Sequence, residues 1–188
     1  MALTPSNMLP VGTEAPNFEL WDSVSNSIKT LNNLRGSKGT LVLFICNHCP
    51  FVIHINQTLV ALGNEVQPKG VNIIAISSND AKTYPQDGPE AMQSHAEKLN
   101  YPFPYLYDET QLVAKAYEAA CTPDFYLFNA DLKLTYRGQL DDSRPGNGLP
   151  VNGSDLKHAI QCLIENKKNN NPQKPSVSCS IKWKIKKI

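Results

Sequence analysis

No stretch of this chain approaches the roughly 18 consecutive apolar residues of a membrane-spanning helix, so no such helix is expected. Charge of one sign is also missing. The 18 Lys and Arg against 17 Asp and Glu leave a formal net charge of +1 over 188 residues, so neither nucleic acid nor an anionic membrane is an expected partner. The opening MALTPSNMLPVG has no basic segment followed by an apolar one. No secretory signal is read there, and the expected location is the cytoplasm. A disulfide framework is absent too: the five cysteines, Cys46, Cys49, Cys121, Cys162 and Cys179, are odd in number and irregularly spaced. A chain of this length buries a core without staples, so a redox role for a subset of the cysteines is the better expectation. No internal repeat is present.

What is there is a dithiol at a junction. Thr40 to Val52 reads TLVLFICNHCPFV. Residues 41–45 are continuously apolar, the pattern of a central strand buried on both faces. They end at Cys46-Asn47-His48-Cys49-Pro50, after which Val52, Ile55, Leu59 and Leu62 recur at helical steps over residues 51–65. Pro50 suits the first turn of that helix. A second apolar, β-branched run at residues 71–77 completes a βαβ unit.

The remaining segments are arranged around that unit. Residues 1–11 read as a loose leader. Phe18 and Leu20 share one face of a short strand or hairpin laid on the side of the core, and residues 22–39 as a loop with a short turn of helix. Helices are expected over residues 90–99 and 111–117, and prolines exclude a helix over 101–106. Residues 124–128 and 132–137 form a hairpin about Asn129-Ala130-Asp131. A polar loop then leads to a last helix over 154–166, with Ser154 as its N-cap. This order predicts an α/β fold with a mixed central sheet, helices on both faces and an N-terminal strand or hairpin extension. The domain spans 12–166, and 167–188 is a polar linker with a basic, strand-like tail. In that tail Lys182, Lys184, Lys186 and Lys187 alternate with apolar residues, as in a half-buried edge strand.

A CxxC at a helix N-terminus is reactive because thiolate is the nucleophile, and the helix dipole with its unpaired N–H groups stabilises a negative sulfur. Cys46, first in the pair and expected to be the more exposed, is assigned the attack. Cys49 then resolves the mixed disulfide. His48, if cationic, further stabilises the thiolate. A c-type haem site needs His where Pro50 stands, and a structural zinc site needs a second pair or a Cys/His partner motif.

The opening Gly12-x-x-Ala15-Pro16-x-Phe18-x-Leu20, the approach Leu31-x-x-Leu34-Arg35-Gly36 before the strand into Cys46, and Thr122-Pro123 before a later strand together resemble the thioredoxin-like superfamily. Within it they resemble the redoxin branch that includes the alkyl hydroperoxide reductase/thiol-specific antioxidant proteins. The resemblance implies a thioredoxin-like fold over residues 12–166. It also implies a cis-Pro123 facing the dithiol, with the backbone of Thr122 open to an extended substrate. The CxHC spacing is similar to that of protein disulfide isomerase and DsbA, whose potentials near ~−180 and ~−120 mV lie above thioredoxin's ~−270 mV. Two departures stand out. Thioredoxins keep a buried acid near the dithiol, and residues 41–45 contain no carboxylate. Peroxiredoxins need Thr or Ser three residues before the peroxidatic cysteine and Pro four earlier. Leu43 and Gly39 stand there for Cys46, Cys46 and Val42 for Cys49.

The expected activity is therefore thiol–disulfide exchange through Cys46 and Cys49, tuned by His48 and Asn47, with no cofactor and no metal. The partners are protein or small-molecule disulfides and thiols and a recycling reductant or oxidant. A redoxin-type thiol peroxidase and a non-catalytic binding module are the alternatives. Cys121 reads as a core thiol, a third redox cysteine or a metal ligand with the dithiol. Cys179 is a resolving cysteine if the tail folds back, and Cys162 is core. Arg144 either lines the site or pairs with Asp141 and Asp142. His54, His95 and His158 need no function.

Overall fold

The computed structural model describes residues 3–185. In chain order the strands and helices are β1 (Leu3–Pro5), β2 (Glu19–Asp22), β3 (Ser27–Thr30), α1 (Leu31–Leu34), β4 (Gly39–Phe44), α2 (Pro50–Val66) and β5 (Val71–Ser77). They continue with α3 (Pro89–Leu99), β6 (Tyr105–Tyr107), α4 (Leu112–Ala116), β7 (Cys121–Thr122), β8 (Asp124–Asn129), β9 (Leu134–Gly138), α5 (Ser154–Ile164) and β10 (Val177–Ser180). A seven-stranded sheet runs β3-β2-β6-β5-β4-β8-β9, and a three-stranded sheet runs β1-β10-β7. β4 is parallel to β5, as the βαβ reading requires, and antiparallel to β8.

Strand periodicity divides the apolar side chains between two faces. Leu41, Leu43, Ile73, Ala75, Phe125 and Leu127 join Val52, Ile55 and Leu59 of α2, Met92 of α3 and Ile160 of α5 in one core. Val42, Phe44, Ile74, Ile76, Tyr126 and Phe128 join Leu31 of α1, Ala114 of α4 and Phe18 in the other. Helices therefore cover both faces of a mixed sheet, as expected. No described helix is long and apolar enough to cross a membrane.

Three local expectations are corrected, and one, the absence of a helix over residues 101–106, is met and extended. Leu3–Pro5, within the supposed loose leader, is a strand paired with β10. The proline-rich segment after α3 ends in β6, which joins β5 to the β2–β3 hairpin. The N-cap of α5 is Gly153 at φ +69°, not Ser154. Asn152 Oδ1 instead accepts the Ser154 N–H at 2.8 Å, so the turn before the helix needs a left-handed residue, which glycine supplies cheaply. The tail strand β10 is the middle strand of its sheet rather than an edge, because β1 and β7 flank it. Lys182 and Lys184 follow β10, while Lys186 and Lys187 lie outside the described residues.

A buried ion pair ties β8 to β9 just beyond the Thr122–Pro123 bond. Arg137 Nη2 donates to Asp124 Oδ2 at 3.1 Å and to the Tyr126 hydroxyl at 2.6 Å, and both charged side chains are 0% exposed. The guanidinium lies 4.3 Å from the Tyr126 ring centroid. Burial pushes the Asp124 carboxyl up to about 6 against the pull of Arg137. Removing one partner strands the other. Arg137→Met is expected to lower the unfolding free energy by about 3–5 kcal/mol, and Arg137→Met with Asp124→Asn by less. Urea denaturation of both variants checks this, and an equal or larger loss in the double variant would contradict it.

Candidate active site

The site forms where β4 runs out. Ile45 still donates its N–H to Ile76 O at 2.9 Å, and Cys46 is the first residue beyond that pairing. Cys49 is the N-cap of α2 and Pro50 its first residue. The dithiol thus sits outside the carboxyl end of a central parallel strand, the usual crevice of open α/β sheets. Cys46 is 2% exposed and Cys49 0%, so both are buried and the greater exposure expected of Cys46 amounts to very little.

Thr122 holds both sulfurs from across the crevice. Its Oγ1 lies 3.5 Å from Cys46 Sγ, and in the dithiol form Cys49 Sγ donates to its carbonyl oxygen at 3.0 Å. The following Thr122–Pro123 peptide bond is cis.

The Asn47-His48 segment is fastened to a buried carboxylate that lies outside residues 41–45, in the segment after β5. Asp87, 0% exposed, ends a short 3₁₀ turn, Pro85–Asp87. Its Oδ1 accepts the N–H of Asn47 at 2.9 Å and of His48 at 3.4 Å. Its Oδ2 lies 2.6 Å from His48 Nδ1 and accepts from Asn79 Nδ2 at 2.9 Å. His48 also stacks on Tyr84, with centroids 5.2 Å apart and planes at 6°. Asn47 is fully engaged: Nδ2 donates to Gln86 O at 2.7 Å and Oδ1 accepts from the Tyr105 hydroxyl at 3.1 Å. The sequence signal for Asp87 is an acid in the Pro/Gly-punctuated loop after β5, on the same carboxyl side of the sheet as the dithiol.

The two thiols share protons. The hydrogen bond from Cys46 holds Cys49 down, against burial, to about 5, with help from Cys179, the Val52 N–H and Thr122. The same hydrogen bond, then burial and the charge of Asp87, push Cys46 up. As a pair they lose a first proton easily and a second with difficulty.

The other candidate residues separate. Cys179 of β10 lies in the same core cluster as Cys46 and Cys49, and burial, then Cys49, push its thiol up to about 12. Cys121 turns away, with Sγ 3.8 Å from Pro123 O and 4.0 Å from Ser176 O, and burial pushes its thiol up to about 12. Cys162 sits on α5 with His158 Nε2 at 3.5 Å. Arg144 lines a narrow cleft with Pro123, Phe51 and His54. It makes no ion pair with Asp141 or Asp142 among the described residues. Its guanidinium donates instead to Asp141 O and Ser143 O, both at 2.7 Å, and to Gln139 Oε1 at 2.5 Å. The Thr122 edge, expected to be open to an extended substrate, is taken by β10, with Cys179 opposite Thr122.

Cys46, His48 and Asp87 bring donor atoms within 4.8 Å of one another, a set that a borderline cation accepts. The 2.6 Å between His48 Nδ1 and Asp87 Oδ2 is, however, a hydrogen bond. Two ligands of a tetrahedral ion with bonds near 2.0–2.1 Å sit roughly 3.3 Å apart, so these residues satisfy one another without an ion.

The sequence pattern of the AhpC/TSA family matches residues 11–137. No curated protein matches the chain. Among solved structures, an uncharacterized conserved protein from Geobacillus kaustophilus is 55% identical with a TM-score of 0.96, over 98% of this chain and 97% of that one. A hypothetical protein from Sinorhizobium meliloti is 42% identical with a TM-score of 0.94, over 96% and 98%. The thioredoxin domain of a thiol-disulfide oxidoreductase from Bacteroides vulgatus, 20% identical, shares the fold with a TM-score of 0.60 over 72% and 92%. The fold is thus thioredoxin-like.

The coupled thiols set a pH dependence. Thiolate absorbance of the reduced protein is expected to rise through a midpoint near 5, and Cys49→Ser should abolish that step. Because the folded value lies below the ordinary thiol value of 9.0, the reduced fold gains stability as pH rises from 5 towards 9. It loses that stability as pH falls through 5. A single titration near 9 would contradict the assignment.

Proposed function

This chain belongs to the AhpC/TSA family, and from that premise we propose that it is a thiol–disulfide oxidoreductase cycling Cys46 and Cys49 between dithiol and disulfide. The observation that carries the reading is the pair of buried sulfurs at the β4–α2 junction, with Thr122 bonded to both. A shared proton lets either sulfur be the thiolate. Passing it from Cys46 to Cys49 leaves Cys46 as nucleophile at the outer end of the loop. Cys46 attacks one sulfur of a substrate disulfide, and the other sulfur departs as a thiolate that takes up a proton. Cys49, ionised again and capped by α2, then attacks Cys46 and releases the second substrate thiol. A thiol reductant in a reducing compartment such as the cytoplasm regenerates the pair.

His48 tunes the couple in this reading. Asp87 faces Cys46 and disfavours its thiolate, and a cationic His48 bonded to that carboxylate offsets the charge. With β10 on the Thr122 edge, small-molecule disulfides suit the site better than extended polypeptides. A thiol peroxidase is the second reading, favoured by the Thr122 hydroxyl beside Cys46. Against it stands the missing hydroxyl residue three before either cysteine.

Reduction of glutathione disulfide and of insulin, measured beside hydrogen peroxide consumption, separates the readings. Disulfide reduction that disappears in Cys46→Ser is expected, with glutathione disulfide the better substrate. Peroxide consumption alone, lost in Cys46→Ser, would overturn the first reading in favour of the second. A redox titration should place the couple above thioredoxin's ~−270 mV, with His48→Ala lower by about 30 mV, equivalent to ~1.4 kcal/mol. A potential unchanged by His48→Ala would remove the tuning role.

A further inference from the structure

The tail reaches the dithiol by regular strand pairing. β10 lies antiparallel to β7, with Cys179 opposite Thr122 and Ser180 opposite Cys121, and Ile181 donates its N–H to Ala120 O at 3.1 Å. β1 covers its other side, with Leu3 opposite Cys179. Opposite residues of an antiparallel pair have Cα atoms about 4.5–5.5 Å apart and side chains on one face. Thr122 is the residue that holds both Cys46 and Cys49. The register therefore delivers the Cys179 side chain to the dithiol, in the place a cysteine of an extended substrate would take on that edge. Its neighbours in β10, Ser178 and Ser180, point the other way.

Beyond the strand the tail is clamped. Lys182 donates its N–H to Asn79 Oδ1 at 2.9 Å, and its carbonyl accepts from Asp80 N at 2.8 Å and Gln111 Nε2 at 2.9 Å. Lys184 N–H donates to Gln111 Oε1 at 2.8 Å. Asn79 is the same residue that donates to Asp87 Oδ2, so the tail clamp and the brace of the CNHC loop are one hydrogen-bonded chain. Such anchoring favours internal exchange, since the third sulfur arrives at high effective concentration.

We propose that Cys179 is the third sulfur of the redox centre, exchanging with the Cys46–Cys49 disulfide to give a Cys49–Cys179 disulfide and a liberated Cys46. This step rests on the dithiol cycle proposed above, which supplies the disulfide. The Cys179 thiol loses its proton and its sulfur attacks Cys49 Sγ. The Cys49–Cys179 bond forms, the Cys46–Cys49 bond breaks, and Cys46 leaves as a thiolate that takes up one proton. Electrons balance without a further oxidant, because one disulfide replaces another. The liberated Cys46 is the sulfur that meets substrate, so the relay moves the oxidised bond inward to the tail strand.

The test is disulfide mapping of the full-length protein in a glutathione/glutathione disulfide buffer, with acid quenching, alkylation and mass analysis. Wild type is expected to show both Cys46–Cys49 and Cys49–Cys179 linked peptides. Cys46→Ser is expected to accumulate Cys49–Cys179 by about tenfold over wild type, since the competing bond is gone. Cys179→Ser should retain only Cys46–Cys49, and Cys121→Ser should pair as wild type does. If Cys49 of Cys46→Ser is found glutathionylated while Cys179 is alkylated, and wild type lacks the Cys49–Cys179 peptide, the proposal is overturned. The wild-type arm decides even if Cys46→Ser fails to fold. Absence of Cys46–Cys49 linkage from both wild type and Cys179→Ser would instead overturn the dithiol cycle.

Discussion

A carboxylate with no solvent contact organises this site. Burying the charge of Asp87 is tolerable only if donors surround it, and the donors it gathers are the loop between the cysteines and the side chain that anchors the tail. The N–H groups of Asn47 and His48, the His48 ring and Asn79 all converge on two oxygens. The spacing of Cys46 and Cys49 across the loop, the orientation of the imidazole and the docking of the tail at Lys182 are consequences of satisfying one buried group. The same carboxylate adds its charge to the effects of Cys49 and of burial in pushing the Cys46 thiol up.

Around that constraint the fold divides its work. The central strands carry apolar side chains on both faces and hold the β4–α2 junction rigid. The small sheet of β1, β10 and β7 closes the crevice from the side of Thr122. Here the chain's own tail takes the edge, bringing a sulfur with it. Both thiols are consequently buried, and Thr122 bonds to each of them.

The parts legible beforehand share a property: each is determined by residues close in sequence. The apolar run into Cys46, the helical spacing of Val52, Ile55, Leu59 and Leu62, the β-branched strand at Val71–Ser77 and the hairpin about Asn129 need only local periodicity. Gly153 was passed over for Ser154 because a left-handed cap depends on the path of the preceding loop. β6 was hidden because Tyr105–Tyr107 is short and preceded by prolines, and its pairing with β5 and β2 is what makes it a strand. Asp87 escaped notice because a carboxylate in a loop looks solvated until the fold closes over it.

The sequence by itself determined the chemistry and its address: two cysteines at the end of a buried strand and the start of a helix, on a scaffold of the redoxin kind. Hydrophobic period and helix-terminus electrostatics suffice for that, since both act over a few residues. Only the tertiary structure decided which other groups those cysteines meet. It placed Asp87 under the loop, turned Cys121 away and put Cys179 opposite Thr122. Each of these depends on strand register or loop closure between segments far apart in the chain, and a one-residue slip in β10 would exchange the sulfur for a serine hydroxyl.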